Sequence, residues 1–144
     1  MQTLKQLTDA KTIPCCEIKD SPRYPWRGVL LDESRHFFGR ETVKALLDEM
    51  ARYKFNRFHW HLTDDQGWRI EVPGCSELVE YGAVRKSSPK RPDRGGPRGN
   101  EEAIKFAEGV LDYVCKVFPF NVVHIGGDEC PKRRWKESRF MCTV

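Results

Sequence analysis

Two pairs of adjacent acidic residues follow apolar segments of this 144-residue sequence and could carry out proton-transfer chemistry. Asp64 and Asp65 end one segment, and Asp128 and Glu129 end another. Two carboxyl groups held close together shift each other's pKa, so one can stay protonated as a general acid while its neighbour is ionised. A turn with solvated acids is the alternative interpretation, since acidic side chains also cap helices.

The position of both pairs favours chemistry, because parallel α/β proteins assemble active sites at the carboxyl ends of their strands. Gly126 and Gly127 precede the second pair. Glycine lets the backbone turn sharply or approach a ligand closely. Consecutive acids could then present both side chains to one cleft.

A second candidate for chemistry is the pair His59 and His61, which share one face of a predicted strand. Imidazoles at this spacing could bind a metal ion, with His124 or Asp128 as a third ligand from a neighbouring strand. The alternative is that both histidines are hydrogen-bonded packing groups. A metal-dependent hydrolase is therefore a competing hypothesis.

The elements that position these residues alternate between strand and helix. Residues 28–32 and 55–62 predict strands, and residues 40–53 between them predict a helix. The apolar stripe of that helix consists of Val43, Leu46, Leu47, Met50 and Ala51. A helix between two buried strands is the connection that parallel strands require. Hydrophobic spacing also predicts helices over 3–12 and 100–118 and a strand over 121–125.

Composition and charge exclude several classes of protein. The net charge of +4 arises mainly from residues 86–98 and 132–136, which form no continuous basic face with stacking aromatics. We therefore expect no nucleic-acid binding. No window reaches the roughly 18 apolar residues of a membrane span, and residues 1–14 do not resemble a secretory signal. The six cysteines lack CxxC spacing, which favours buried free thiols.

Three long motifs resemble glycoside hydrolase family 20, the β-N-acetylhexosaminidases. They are RGVLLDESRHFF at Arg27–Phe38, NRFHWHLTDDQGWRIE at Asn56–Glu71 and HIGGDECPKRRW at His124–Trp135. The resemblance implies a (β/α)8 TIM barrel, of which about three strands can be counted in this α/β chain. It also implies hydrolysis of terminal N-acetylglucosamine or N-acetylgalactosamine from β-linked glycans without a metal or other cofactor.

The same resemblance divides the chain into segments. It predicts the end of a non-catalytic α+β N-terminal domain and a linker at 1–22, and the first part of the barrel at 23–85. An irregular basic segment, 86–98, stands in place of a deleted barrel portion. A further helix and strand with the Asp-Glu pair follow at 99–137, and 138–144 is a tail.

Site roles are implied residue by residue. In this family the substrate's own acetamido oxygen attacks the anomeric carbon, so one general acid/base suffices. Glu129 resembles that acid/base, and Asp128 resembles the carboxylate that holds the acetamido nitrogen. Arg27 matches an arginine that binds sugar hydroxyls, and Asp64 matches an acid in the network supporting the glutamate. The resemblance gives His59 and His61 the role of framework residues.

Departures from the family pattern bear on activity. A Pro-Gly-His motif expected between positions 85 and 99 is replaced by KSSPKRPDRGGPRG, and the later strands of the barrel do not follow. A partial barrel leaves exposed sheet edges, which favour self-association and predict weak or absent activity of the isolated chain. A non-catalytic remnant that binds only sugar or a partner is the alternative. Family members act in lysosomes, in the periplasm or outside the cell, so location stays open.

Overall fold

The computed structural model of the chain describes residues 2–8, 12–13, 15–84 and 101–127. Its elements are α1 (Gln2–Leu7), β1 (Gly28–Asp32), α2 (Arg40–Arg52), β2 (Arg57–His61), β3 (Thr63–Asp64), β4 (Gly67–Trp68), α3 (Glu77–Glu80) and α4 (Glu101–Val117). Two compact units are present. The first comprises Met1–Ile70 and Gly82–Val84, and the second comprises Glu71–Tyr81 and Arg85–Val144.

The centre of the first unit is a parallel pair of strands, β1 and β2, joined through α2. Gly28 pairs with Arg57 at one end of the register, and Asp32 pairs with His61 at the other. The predicted strand-helix-strand order is confirmed. Because the strands run in parallel, the side chains that follow Asp32 and His61 emerge at the same edge of the sheet.

Helix α2 forms where the apolar spacing predicts it, and it buries part of its stripe. Val43 and Met50 are buried, whereas Leu47 is 42% exposed. The backbone enters the helix through Gly39, at φ 84°, and leaves it through Lys54, at φ 60°. Both φ values lie outside the helical range, and at position 39 the conformation is unstrained because glycine has no Cβ.

A short antiparallel hairpin, β3–β4, was not predicted from the sequence. Thr63 pairs with Trp68 and Asp64 with Gly67 across a two-residue turn. Strands of two residues carry no detectable hydrophobic alternation, so only turn chemistry could have signalled them. The hairpin begins directly after β2 and holds Asp64 at the carboxyl end of the sheet.

The second unit contains α3 and α4. Helix α4 confirms the helix expected from about 100 to 118, but the burial of its apolar stripe is not observed, since none of its residues is buried. Ile104 is 45% exposed and Leu111 is 37% exposed.

The strand predicted over residues 121–125 is wrong, because the structure gives this segment no strand conformation. Within the described ranges no other strand pairs with it. An extended segment becomes a strand only when a neighbour accepts and donates its backbone hydrogen bonds. Of the three longer strands predicted from the sequence, the described residues form two, β1 and β2.

Two further expectations need correction. Helix α1 ends at Leu7, where Thr8 Oγ1 donates to the Lys5 carbonyl over 2.8 Å, although the sequence predicts a helix to residue 12. A side chain that bonds to the backbone in this way competes with continuation of a helix. Cys15, Cys16 and Cys115 are exposed free thiols, not buried ones. Among the described residues, no helix is both long and apolar enough to cross a bilayer.

Candidate active site

Charged side chains gather where β1 and β2 end. Asp32 closes β1, His61 closes β2 and pairs with it in register, and Asp64 lies in the hairpin that follows. Arg35 lies three residues beyond Asp32. The carboxyl ends of parallel strands are where α/β proteins place their ligands. These four residues are called the strand-end cluster below.

Arg35 joins the two aspartates. Its Nη1 lies 2.7 Å from Asp32 Oδ2 and its Nη2 lies 2.9 Å from Asp64 Oδ2. The backbone N–H of Arg35 also donates to Asp32 Oδ1 over 3.0 Å. The Arg35 side chain remains 42% exposed, compared with 25% for that of Asp64. A guanidinium has five N–H donors, so this one can hold both carboxylates and still contact a ligand.

His61 lies between the same two carboxylates. Its Nε2 is 3.1 Å from Asp64 Oδ2 and its Nδ1 is 3.8 Å from Asp32 Oδ1. The Nε2 atom is also 3.0 Å from the carbonyl of Thr63. His61 therefore connects the end of β2 to both acids, which agrees with the framework role implied by the family resemblance.

The charge on Asp32 is stabilised by its neighbours. Partial burial is the largest single influence and raises the pKa of Asp32, but several smaller effects outweigh it. These are hydrogen bonds from the backbone and side chain of Arg35 and the nearby charges of His61 and Arg35, which hold the pKa below its ordinary value of 3.8. Asp32 is therefore an ionised acceptor at neutral pH.

Two buried polar residues support the turn between β1 and α2. Glu33 is 2% exposed, and its Oε1 accepts hydrogen bonds from the backbone N–H groups of Phe38 at 3.0 Å and Gly39 at 3.1 Å. Ser34 is fully buried and donates to the carbonyl of Gly67 over 2.7 Å. Satisfied buried polar groups make a turn rigid. Arg35 thus extends from a fixed backbone.

Arg27, the residue matched to sugar binding, lies at the other end of the sheet. It precedes β1, and its Nε donates to the Lys54 carbonyl over 3.0 Å while its Nη1 donates to the Tyr24 carbonyl over 2.6 Å. Asn56 Oδ1 accepts the backbone N–H of Arg27 over 3.0 Å. A five-residue strand spans about 16 Å. The structure does not bring Arg27 together with Asp64.

Asp128 and Glu129, the predicted catalytic pair, lie outside the described residues. The backbone leading to them is described as far as Gly127. Gly126 and Gly127 adopt φ values of 68° and 89°, and the N–H of Gly126 donates to His124 Nδ1 over 3.0 Å. Both glycines therefore adopt the positive φ values that glycine allows, but the described backbone at 122–127 has no turn or bend. A side chain at either position would be strained in this conformation.

The two histidines of the possible metal pair both lie in β2. The rings of His59 and His61 are 6.4 Å apart, and both nitrogens of His61 face acidic or carbonyl oxygens. In the part of the chain that is described, no three His, Cys, Asp or Glu side chains are arranged to hold a metal ion.

Sequence reasoning missed Arg35 and Asp32 as site residues. Both lie inside the motif at Arg27–Phe38, and the spacing of three residues between an acid and a base after a strand was an available signal. Spacing could not show that Asp64, 29 positions after Arg35, contacts the Arg35 guanidinium.

Comparison with known proteins identifies the family. The family model for the glycosyl hydrolase family 20 catalytic domain matches residues 24–97 and 95–143. A β-hexosaminidase of Porphyromonas gingivalis is 32% identical over 207 aligned positions, which include 94% of this chain and 27% of that protein. The N,N'-diacetylchitobiase of Vibrio harveyi is 51% identical over 54% of this chain and 9% of its own length.

Solved structures give the same result. A crystal structure of a β-N-acetylhexosaminidase matches 98% of this chain and 45% of its own, with a TM-score of 0.71 and 30% identity. A Flavobacterium johnsoniae chitobiase matches 84% of this chain and 26% of its own, with a TM-score of 0.70 and 28% identity. The chain therefore spans less than half of each of these relatives. With the family model covering most of its residues, the chain belongs to glycosyl hydrolase family 20.

Proposed function

We propose that this chain carries the acid/base and sugar-orienting residues of a β-N-acetylhexosaminidase, which releases terminal N-acetylglucosamine or N-acetylgalactosamine from β-linked glycans. The observation that carries the proposal is the strand-end cluster, in which Arg35 holds Asp32 and Asp64 at the carboxyl ends of two parallel strands. Family membership and the names of the relatives agree with it.

Catalysis is assigned to Asp128 and Glu129. The substrate's acetamido oxygen attacks the anomeric carbon while Glu129 protonates the departing glycosidic oxygen. Asp128 accepts the acetamido N–H and stabilises the positive charge that develops on the cyclised group. Glu129 then removes a proton from a water that attacks the anomeric carbon, and the bond from this carbon to the acetamido oxygen breaks. The two displacements each invert the anomeric carbon, so its configuration is retained overall. The two left-handed glycines before this pair support the assignment, because they allow adjacent acids to face one cleft.

Recognition of the sugar hydroxyls is assigned to Arg35 in preference to Arg27. Arg35 stands beside Asp64 and is 42% exposed, whereas Arg27 donates to backbone carbonyls before β1. A guanidinium fork suits two neighbouring hydroxyl oxygens. Asp64 is assigned to orienting Arg35 through their ion pair, in addition to the support of the catalytic glutamate that the resemblance implies.

The internal organisation of the chain follows from the same proposal. Residues 23–85 form the beginning of the barrel, 99–137 carry its catalytic pair, and 86–98 stand where relatives have further barrel structure. The alignment with the Porphyromonas gingivalis enzyme supports this, because it extends over 207 positions although the chain has 144 residues. Residues 1–22 and 138–144 are assigned to an N-terminal domain end with linker and to a tail.

Sugar binding without turnover is the second candidate function. It is favoured by two observations among the described residues: α4 has no buried residue, and residues 121–125 do not form a strand. The exposed edges of the β1–β2 pair would then promote self-association.

Hydrolysis of 4-nitrophenyl N-acetyl-β-D-glucosaminide by the purified chain tests the proposal. We expect release of nitrophenol that disappears in Glu129→Gln and in Asp128→Asn. Glu41→Gln is the matched control, because Glu41 is an exposed acid on α2 that forms ion pairs with Arg40 and Lys44. Binding of N-acetylglucosamine with no release of nitrophenol would identify the second candidate. Activity that survives in Glu129→Gln would reject the catalytic assignment.

A further inference from the structure

Arg69, which follows β4, holds three backbone carbonyls with one guanidinium. Its Nε donates to the Glu33 carbonyl over 3.1 Å, and its Nη2 donates to the Ser34 carbonyl over 3.3 Å. Its Nη1 donates to the Ala83 carbonyl over 2.6 Å. These contacts join the turn after β1, the hairpin after β2 and the segment at residues 82–84.

The turn and the hairpin are also tied together in the opposite direction. Ser34 Oγ donates to the Gly67 carbonyl over 2.7 Å. Within the hairpin, the N–H of Arg69 donates to the Leu62 carbonyl over 2.9 Å and closes its base. Gly67 is buried, and a Cβ there would lie 2.7 Å from Arg69 Nη2 and 2.9 Å from the Ser34 carbonyl. The approach of the hairpin to the turn therefore requires glycine at position 67.

The two carbonyls of the turn belong to the residues immediately before Arg35. Any displacement of the Glu33–Ser34 backbone moves the start of the Arg35 side chain, whose guanidinium must meet Asp32 at 2.7 Å and Asp64 at 2.9 Å. Asp64 is in the hairpin that Arg69 follows. Arg69 thus contacts the backbone on both sides of the Arg35–Asp64 bridge.

We propose that Arg69 is a positioning residue of the strand-end cluster, which holds the β1 turn against the hairpin so that Arg35 spans Asp32 and Asp64. The effect of Arg69 on sugar binding rests on the proposed function, whereas its effect on the geometry of the strand-end cluster does not. A lysine cannot replace it fully, because a single ammonium lacks the planar fork that faces several carbonyls at once. A misplacement of about 1 Å at a site is enough to impair it strongly.

The test compares Arg69→Gln, Arg69→Lys and Gly67→Ala with the unmodified chain. The first readout is the pKa of the Asp32 carboxyl, measured by a ¹³C NMR titration. We expect Arg69→Gln to raise it, because Arg35 withdraws from Asp32, and Arg69→Lys to raise it less. Gly67→Ala keeps the arginine but pushes its guanidinium aside, so it should change the pKa in the same direction. Arg40→Gln, on exposed α2, is the matched control and should leave the pKa unchanged.

The second readout is the Kd for N-acetylglucosamine, which we expect Arg69→Gln to raise on the order of tenfold. If the unmodified chain binds no sugar, the proposed function fails while the Asp32 measurement still tests Arg69. A folded Arg69→Gln variant with an unchanged Asp32 pKa overturns the proposal. Should Arg69→Gln fail to fold, Gly67→Ala decides, since an unchanged pKa in that variant overturns the proposal equally.

Discussion

Arg35 Nη2 lies 2.9 Å from Asp64 Oδ2, and this contact joins the turn after β1 to the hairpin after β2. The two residues are separated by a helix and a strand along the chain. They meet because β1 and β2 are parallel and end at the same edge of the sheet. The bridge is the centre of the candidate site, and its neighbours make distinct predictions.

Removing the guanidinium of Arg35 should impair sugar recognition. We expect Arg35→Gln to weaken the affinity for N-acetylglucosamine roughly 10- to 100-fold, the range for losing one hydrogen bond from a charged donor. Isothermal titration calorimetry measures this directly. Arg27→Gln is the comparison variant, and an equal or larger loss there would return the hydroxyl-binding role to Arg27.

Asp32 should make the stability of the chain depend on acid pH. The folded-state pKa of Asp32 is below its ordinary value, so ionised Asp32 stabilises the fold above about pH 5. That stabilisation is lost as the pH falls below 3.8 and through the lowered pKa. Urea unfolding between about pH 2 and about pH 7 measures this loss as a fall in the free energy of unfolding. We expect that fall to be shallower in Asp32→Asn than in the unmodified chain.

The control for this experiment is Asp48→Asn, on the exposed side of α2. It should retain the full acid decline of the unmodified chain. An equal loss of slope in both variants would show that the decline arises from general charge effects and not from the strand-end cluster.

Glu33 should stabilise the turn through its carboxylate oxygen. Glu33→Ala leaves the N–H groups of Phe38 and Gly39 without this acceptor, and we expect a loss of about 1–3 kcal/mol in the free energy of unfolding. Glu33→Gln retains an acceptor oxygen and should lose less. Urea unfolding followed by tryptophan fluorescence compares the two variants, and equal losses would argue against the hydrogen bonds as the cause.

Self-association through the β1–β2 pair should be reduced by a charge on β1. Leu30 is 55% exposed on that strand, and Leu30→Lys places the kind of residue that blocks edge pairing. Sedimentation velocity should show a shift towards monomer. Leu4→Lys is the matched control, because Leu4 is also 55% exposed but lies on α1. A similar shift in the control would mean that association does not involve the sheet.

Local pattern was sufficient for the elements that form within a short stretch of chain. A short continuous apolar run located β1, alternation located β2, and helical spacing located α2 and α4. The two periodicities follow from backbone geometry alone. The glycines at 126 and 127 also adopt the conformations that their type allows. The three sequence motifs were enough to identify the family.

Pattern failed wherever a partner elsewhere in the chain was decisive. Residues 121–125 are apolar enough for a strand, but a strand needs a paired neighbour, and the sheets found among the described residues do not include this segment. The stripe of α4 has helical spacing but lacks the packing that would bury it. The β3–β4 hairpin is too short to show any alternation.

The amino-acid sequence alone therefore establishes the family and the type of each longer helix or strand. It also identifies the acids that could do chemistry, since all of these depend on local composition and spacing. Only the folded chain decides which charges meet. It brings Arg35 to Asp64 and leaves Arg27 at the opposite end of β1, because the parallel register aligns Asp32 with His61 and Gly28 with Arg57. Contacts between distant residues depend on that register, which periodicity cannot reveal.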